Sequence, residues 1–198
     1  MDGKFTNMYR QDLKEEYYTL KAKQDKYPAR SVYKLQQIDE KFNLINKNDK
    51  ILDLGCAPGS WLIYASRKIG EKGTVTGIDL QDMKTEVPKN AIFLKQDVNA
   101  FKSDKKFDVI MSDMAPNTSG DHSVDVERSI ELCETALKIA IVGLVKGGNF
   151  VCKIFEGEGI QDFFKKVEQN FSFVKRYKPL ASRSESREIF IIGKGFKI

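Results

Sequence analysis

The sequence predicts a layered α/β domain with a parallel sheet, and three observations support this fold class. Short apolar runs of strand length alternate with stretches of helical apolar spacing along almost all of the 198 residues, as expected for a sheet covered by helices. The run at 51–54 is short and apolar and ends in a glycine-rich turn, which favours a buried parallel strand. Several of them end at an aspartate or a glycine-rich turn.

The predicted elements leave only two substantial loops, at 114–124 and 178–187. Ser31 is expected to cap a helix whose apolar spacing extends to Phe42. Further helices are predicted at 60–70, at 124–146, where Gly147 and Gly148 are expected to end the helix, and at 160–169. The predicted strands cover 51–54, 74–79, 91–94, 107–112, 150–155, 171–174 and 188–192.

Positive charge is concentrated at the two ends of the chain. Residues 1–50 hold 11 Lys and Arg against 8 Asp and Glu, and residues 161–198 hold 9 against 4. We therefore interpret 1–198 as a single domain with 1–30 as a basic N-terminal extension. Such ends suit a solvated surface as well as a docking surface for a polyanion. The residues expected to contact phosphates are Lys14, Lys21, Lys23, Lys26, Arg30, Lys175, Arg176, Lys178 and Arg183.

The composition argues against several classes of protein. No apolar run is long enough to span a membrane, and acidic residues near the N-terminus argue against a transit peptide. Three separated cysteines and one histidine, His122, form neither a disulfide framework nor a zinc pattern. His122 is expected at the surface. We therefore expect an intracellular, cytoplasmic monomer without a metal; the alternative is a mitochondrion or another organelle if a presequence has been removed.

The strongest local signal is the segment 53–61, DLGCAPGSW, where a strand enters a tight turn of small residues. Gly55 and Gly59 allow the backbone to approach a ligand closely. Their spacing differs from the three-glycine loop that binds a dinucleotide pyrophosphate, and Pro58 removes a backbone donor. The loop therefore suits a ligand without phosphates.

Two carboxylates end the next strands and are expected at the same edge of the sheet. Asp79 can accept hydrogen bonds from both hydroxyls of a ribose, and Asp97 can accept one from an adenine amino group. Each of them is also a plausible cap for a turn or a helix. Together with the glycine loop they favour a nucleoside site.

Four segments resemble the FtsJ/RrmJ family of ribose 2′-O-methyltransferases, and the resemblance runs from about Tyr17 to Phe196. They are 53–61 (DLGCAPGSW), 112–117 (SDMAPN), 151–157 (VCKIFEG) and 182–188 (SRSESRE), in the family's order. The resemblance implies a Rossmann-like methyltransferase fold dependent on S-adenosylmethionine. That fold has a seven-stranded, mostly parallel sheet with an antiparallel last strand and helices on both faces.

The resemblance also implies roles for individual residues. A catalytic tetrad would consist of Lys34, Asp113, Lys153 and Glu188. The contacts to S-adenosylmethionine would come from Gly55, Gly59, Trp61, Asp79, Asp97 and Asp113. A tryptophan such as Trp61 is more often a core residue than a ligand contact, but its place at the exit of the loop also fits a contact with the cofactor.

The chemistry agrees with such a tetrad. A ribose hydroxyl must lose its proton as it attacks a sulfonium methyl, and a lysine can take that proton only when neutral. Burial and the nearby ammonium of Lys34 are expected to lower the pKa of Lys153, which lies in an apolar run. Asp113 and Glu188 would orient the amines.

Other functions stay open at this point. A nicotinamide oxidoreductase is disfavoured by the glycine spacing and Pro58, and a non-catalytic RNA-binding protein by the complete tetrad. Within the resembling family, SDMAPN and the 155–159 turn favour the branch acting on a uridine of large-subunit ribosomal RNA. The alternative is the branch acting on the tRNA anticodon loop.

Overall fold

A single seven-stranded sheet forms the centre of the protein in a computed structural model, which describes residues 3–183 and 185–197. Met1, Asp2, Ser184 and Ile198 lie outside the described residues, as do the side chains of residues 3–12 and of Lys14. The strands are β1 (Lys50–Leu54), β2 (Thr74–Asp79), β3 (Ala91–Lys95), β4 (Phe107–Ser112), β5 (Leu144–Phe155), β6 (Phe171–Tyr177) and β7 (Glu188–Phe196).

The strand order is β3-β2-β1-β4-β5-β7-β6. β7 lies between β5 and β6 and is antiparallel to both, whereas the pairs among β1 to β5 are parallel. The prediction of a seven-stranded, mostly parallel sheet with an antiparallel last strand is therefore confirmed. The order reverses between β1 and β4, and ligands of open α/β sheets bind at the carboxyl ends of the strands near such a point.

Helices cover both faces of the sheet, as predicted. They are α1 (Gly3–Gln24), α2 (Val32–Phe42), α3 (Ser60–Ile69), α4 (His122–Gly143) and α5 (Ile160–Asn170). One face packs α2 and α3 in a buried cluster that includes Leu35, Trp61 and Val151. The opposite face packs α4 and α5 through residues such as Leu137 and Phe163. The first face carries the catalytic candidates.

The structure differs from the sequence predictions at the start of α2 and in the segment before it. Ser31 has helical backbone angles and its side chain makes no capping bond, so the predicted cap is wrong. α1 is a 22-residue helix in a region for which the sequence predicted no element. It packs through a small cluster that joins Ala22 to Val32 and Tyr33, because α1 offers few apolar positions of its own.

The boundary between α4 and β5 also differs from the prediction. α4 begins two residues early, because the Asp121 side chain caps it by accepting from the amides of Ser123 and Val124. It ends at Gly143, and Leu144 already pairs with Phe107 in the sheet. The glycine pair that was expected to end the helix lies inside β5, where the register shifts.

The described residues include neither a helix suited to crossing a membrane nor a cluster of metal ligands. Within 3–183 and 185–197, no helix is both long and apolar enough to cross a membrane. In the same ranges, no group of three or more His, Cys, Asp or Glu side chains is placed to hold a metal ion.

Candidate active site at the carboxyl edge of the sheet

Four ionisable residues lie in a row across neighbouring strands on the face covered by α2 and α3. They are Asp53 at the end of β1, Asp113 directly after β4, Lys153 in β5 and Glu188 at the start of β7. Side chains alternate between the two faces of a strand. Lys153 therefore shares a face with Val151, which packs against α2 and α3. The sheet order makes these four residues neighbours.

Lys153 is held by Asp113 through two contacts. Its ammonium lies 2.9 Å from the carboxylate oxygen Oδ1 and also donates to the backbone carbonyl of Asp113. The lysine side chain is only 9% exposed and the aspartate 17%. Because Ser112 pairs with Cys152, the strand register fixes this contact. A buried ammonium needs such partners, since an unpaired one is costly.

Lys34 and Glu188 form the second pair of the cluster. The ammonium of Lys34, in the first turn of α2, contacts the carboxylate oxygen Oε1 of Glu188, and both side chains are largely buried. In the β5–β7 ladder, Glu188 pairs with Phe155 and Phe190 pairs with Lys153. Glu188 is therefore the diagonal neighbour of Lys153 on one face. The four tetrad candidates are brought together as two ion pairs.

Asp53 is a member of the row to which the sequence analysis gave no role. Its side chain is fully buried, and neither carboxylate oxygen has a hydrogen-bond partner among the described residues. Burial raises the pKa of Asp53 well above its ordinary value, and the nearby charges of Asp113 and Asp79 raise it further. The signal available in the sequence was an acid inside the apolar run 51–54.

A cavity of about 480 Å³ lies beside this row, at the carboxyl ends of β1 to β4. Gly55, Asp79, Asp97 and Asp113 line it, as do Leu80, Asn117 and further residues of the loops that follow the strands. Three of the lining side chains are carboxylates, and no lysine or arginine lines the cavity in the described part of the chain. The site therefore suits a cationic nucleoside better than a phosphorylated one.

Asp79 stabilises the glycine loop. Its oxygen Oδ2 accepts from the amide of Ala57 at 2.9 Å, and Oδ1 accepts from the amide of Gln81 at 2.8 Å. Each carboxylate oxygen can accept a second bond. Asp79 can thus cap the turn and still offer acceptors to a ligand in the cavity.

Asp97 likewise caps a turn while it lines the cavity. Its carboxylate accepts from the amide of Asn99 at 2.8 Å, at the start of a short 3-10 turn, Val98–Ala100. The capping interpretation and the ligand-binding interpretation of Asp79 and Asp97 are therefore compatible.

Gly59 and Trp61 do not line the described cavity. Gly59 has a positive φ of 115°, and a Cβ there would meet the side chain of Met83, so the loop needs glycine at this position. Trp61 is 2% exposed, and its indole N–H donates to the carbonyl of Ser31 at 3.0 Å. The structure thus gives Trp61 a packing role, and its contact with the cofactor stays a prediction.

The loop after Asp113 is tied to α4 by a residue that sequence reasoning did not single out. Asp125 accepts from both the amide and the hydroxyl of Ser119 through one oxygen, at 2.8 and 2.9 Å. The backbone bond from Ser119 holds the pKa of Asp125 below its ordinary value. His122 is exposed at the start of α4, as expected, and lines a different pocket together with Glu127 and Glu131.

Comparison with known proteins places this geometry in a family. Residues 27–196 match the model of the FtsJ-like methyltransferases. The chain belongs to the FtsJ-like methyltransferase family. A relative named ribosomal RNA large subunit methyltransferase E, from Oleidesulfovibrio alaskensis, is 46% identical over 92% of each chain. A relative with the same name from Nitratidesulfovibrio vulgaris is 45% identical over 92% of this chain and 93% of its own length.

Solved structures support the same assignment. The FtsJ-like chain is similar to a crystal structure described as a ribosomal RNA methyltransferase from Plasmodium falciparum. That similarity has a TM-score of 0.76 and 28% identity and covers 86% of this chain and 98% of the other. A S-adenosylmethionine-dependent O-methyltransferase from Thermotoga maritima, at a TM-score of 0.57 and 14% identity over 81% of this chain and 64% of the other, shares the fold.

Proposed function

We propose that this FtsJ-like protein transfers a methyl group from S-adenosylmethionine to the 2′-hydroxyl of a uridine ribose in large-subunit ribosomal RNA. The observation that carries the proposal is the buried Lys153–Asp113 pair beside a carboxylate-lined cavity. Asp113 belongs to both, so the proton-accepting group and the cofactor site meet at one residue.

The residues of the cavity fit the cofactor. Asp79 would accept from the ribose hydroxyls, and Asp97 from the adenine amino group. The carboxylates would also favour the positive charges of a sulfonium and an amino acid ammonium over an anionic dinucleotide. When bound, S-adenosylmethionine supplies a methyl group activated by its sulfonium.

The tetrad would then remove the proton that the ribose hydroxyl must lose. Lys153 in its neutral form is the base, and Asp113 fixes the position of the lysine nitrogen. Lys34 adds a second positive charge near the reacting hydroxyl, and Glu188 holds Lys34 in place. General-base assistance of this kind contributes about 10²–10⁴-fold to a rate.

The names of the relatives favour ribosomal RNA over tRNA as the substrate, because the two relatives described above are named as large-subunit ribosomal RNA enzymes. The basic ends of the chain agree with an RNA partner. Neither argument identifies the base, so the choice of uridine rests on the resemblance to the family.

Two measurements test the proposal. Purified protein incubated with a tritiated methyl donor should label large ribosomal subunits from cells that lack the protein, and mapping should locate the label at a uridine 2′-oxygen. Label found only in tRNA would show that tRNA, and not ribosomal RNA, is the substrate. The absence of label from every RNA would favour a non-catalytic RNA-binding role. Reduction or oxidation of a nicotinamide cofactor, followed by ultraviolet absorbance, would favour the oxidoreductase.

A further inference from the structure

One carboxylate oxygen of α1 is shared by two arginines from distant parts of the chain. Oε2 of Glu15 lies 3.3 Å from Nη1 of Arg30 and 2.9 Å from Nε of Arg183. Arg30 lies just before α2, and Arg183 lies in the segment between β6 and β7. The two guanidinium groups therefore converge on a single anionic oxygen.

The two arginines lie next to the catalytic candidates in the chain. Arg30 precedes Lys34 by one turn, since the amide of Lys34 bonds to Ser31 and that of Tyr33 to Arg30. Arg183 lies in the segment that leads into Glu188. Because Lys34 and Glu188 are themselves paired, both arginines lie on segments that each supply one member of the tetrad.

Two guanidinium groups that converge on one oxygen are suited to a phosphodiester. A guanidinium binds carboxylates and phosphates with the same planar fork of N–H donors. A carboxylate that occupies the space between two such forks therefore stands in the place of a phosphate oxygen.

We propose that Arg30 and Arg183 form a binding site for a backbone phosphate of the RNA substrate, and that Glu15 occupies this site in the free protein. When RNA binds, one of its phosphates displaces the Glu15 carboxylate and forms ion pairs with both arginines. This inference rests on RNA being the substrate, as proposed above. It adds a binding site for one phosphate and identifies Glu15 as the side chain that competes with RNA for that site.

The ion pairs of Glu15 are weak enough to be exchanged. Glu15 is 37% exposed and Arg183 62%, and ion pairs that water reaches contribute little to stability. The rest of α1 keeps other contacts when Glu15 moves. The ring of Tyr18 packs against that of Tyr33 with centroids 5.3 Å apart, and the Tyr18 hydroxyl accepts from Gln37. The helix therefore does not depend on Glu15 alone.

The test compares Glu15→Gln with Glu16→Gln. Both substitutions change the net charge equally, but Glu16 is exposed on the same helix and no ion pair of the described residues includes it. Binding of a labelled single-stranded RNA of mixed sequence is measured by fluorescence anisotropy. Glu15→Gln should bind the RNA about two- to fivefold more tightly than Glu16→Gln does. The unfolding midpoint and the cofactor affinity establish that each variant is folded.

A second set of variants tests whether the gain acts through the arginines. In an Arg183→Gln background, which alters an exposed side chain, Glu15→Gln should give a smaller gain in affinity. Equal affinities for the Glu15 and Glu16 variants, weaker binding by Glu15→Gln, or an undiminished gain without Arg183 would each overturn the phosphate site. Wild-type protein that methylates ribosomal RNA while the two variants behave alike would overturn this inference and leave the proposed function intact. A wild-type protein that neither binds nor methylates RNA would overturn both.

Discussion

Lys153 and Asp113 are joined twice, because the lysine ammonium contacts both the side-chain carboxylate and the backbone carbonyl of the aspartate. The backbone contact places the nitrogen at the end of β4, next to the cavity that Asp113 lines. A substitution at Lys153 therefore tests the proposed chemistry directly.

Lys153→Ala should lower single-turnover methylation of ribosomal RNA by about 100-fold or more, because the general base is lost. Cofactor affinity, measured by calorimetry, should stay within a few-fold, since Lys153 does not line the described cavity. Lys153→Arg should also lose methylation activity, because a guanidinium does not deprotonate in the working pH range. His122→Ala is the control and should leave the methylation rate nearly unchanged. An active Lys153→Arg enzyme would contradict the assignment of the base.

Asp79→Ala should weaken S-adenosylmethionine binding by about 2–3 kcal/mol, measured by calorimetry. The variant loses the predicted acceptor for the ribose and also the bonds that hold the amides of Ala57 and Gln81. Asp82→Ala is the matched control, since Asp82 is exposed, pairs with Lys95 and does not line the described cavity. Unchanged affinity in Asp79→Ala would mean that the ribose lies elsewhere.

Lys34 and Glu188 should act as one unit in catalysis. We expect Lys34→Ala and Glu188→Gln each to slow single-turnover methylation, and the double variant to be little slower than the worse single one. The reason is that either change already breaks the pair, so the coupling free energy should be about 1–3 kcal/mol. Strictly additive effects would show that the two side chains contribute independently.

Asp53→Asn should make the pH dependence of stability flatter. Because the pKa of Asp53 is raised by burial in the folded protein, the unfolded chain releases this proton first as the pH rises. The stabilising contribution of Asp53 is thus complete below the unfolded pKa and is lost as the pH rises towards the folded pKa.

The free energy of unfolding of Asp53→Asn should consequently improve relative to the wild type as the pH rises above about 4. Urea denaturation across pH, without cofactor, measures this difference. Asp104→Asn, at an exposed position, should show no such trend. A difference between Asp53→Asn and wild type that does not vary with pH would mean that Asp53 is ionised in the folded protein.

Asp39→Ala should destabilise the fold by about 2–4 kcal/mol in denaturant titrations. The buried carboxylate of Asp39 accepts from the amides of Leu44 and Ile45 and from the hydroxyl of Tyr64, and it also pairs with Lys68. Its loss leaves the buried amides without a partner. Glu40→Ala, at the next and exposed position, should change stability by less than about 0.5 kcal/mol. Similar losses in the two variants would contradict the role of Asp39 as the anchor at the end of α2.

The sequence by itself determined the succession of strands along the chain, the glycine loop and the family. These features are local: a buried strand needs an unbroken apolar run, and the loop of Gly55 and Gly59 needs residues without side chains. Boundaries were less certain where local signals conflict. Gly147 and Gly148 resemble a helix end, but the pairing of Leu144 with Phe107 places them inside a strand.

Only the tertiary structure decided how the charged residues pair with one another. The pairing of Lys34 with Glu188, and the convergence of Arg30 and Arg183 on Glu15, join residues from opposite ends of the chain. No local periodicity encodes such contacts, because they depend on β7 inserting between β5 and β6 and on α1 docking against α2. The buried and unpartnered state of Asp53 depends in the same way on the packing of neighbouring strands, since burial is a property of what surrounds a residue rather than of its position in the sequence.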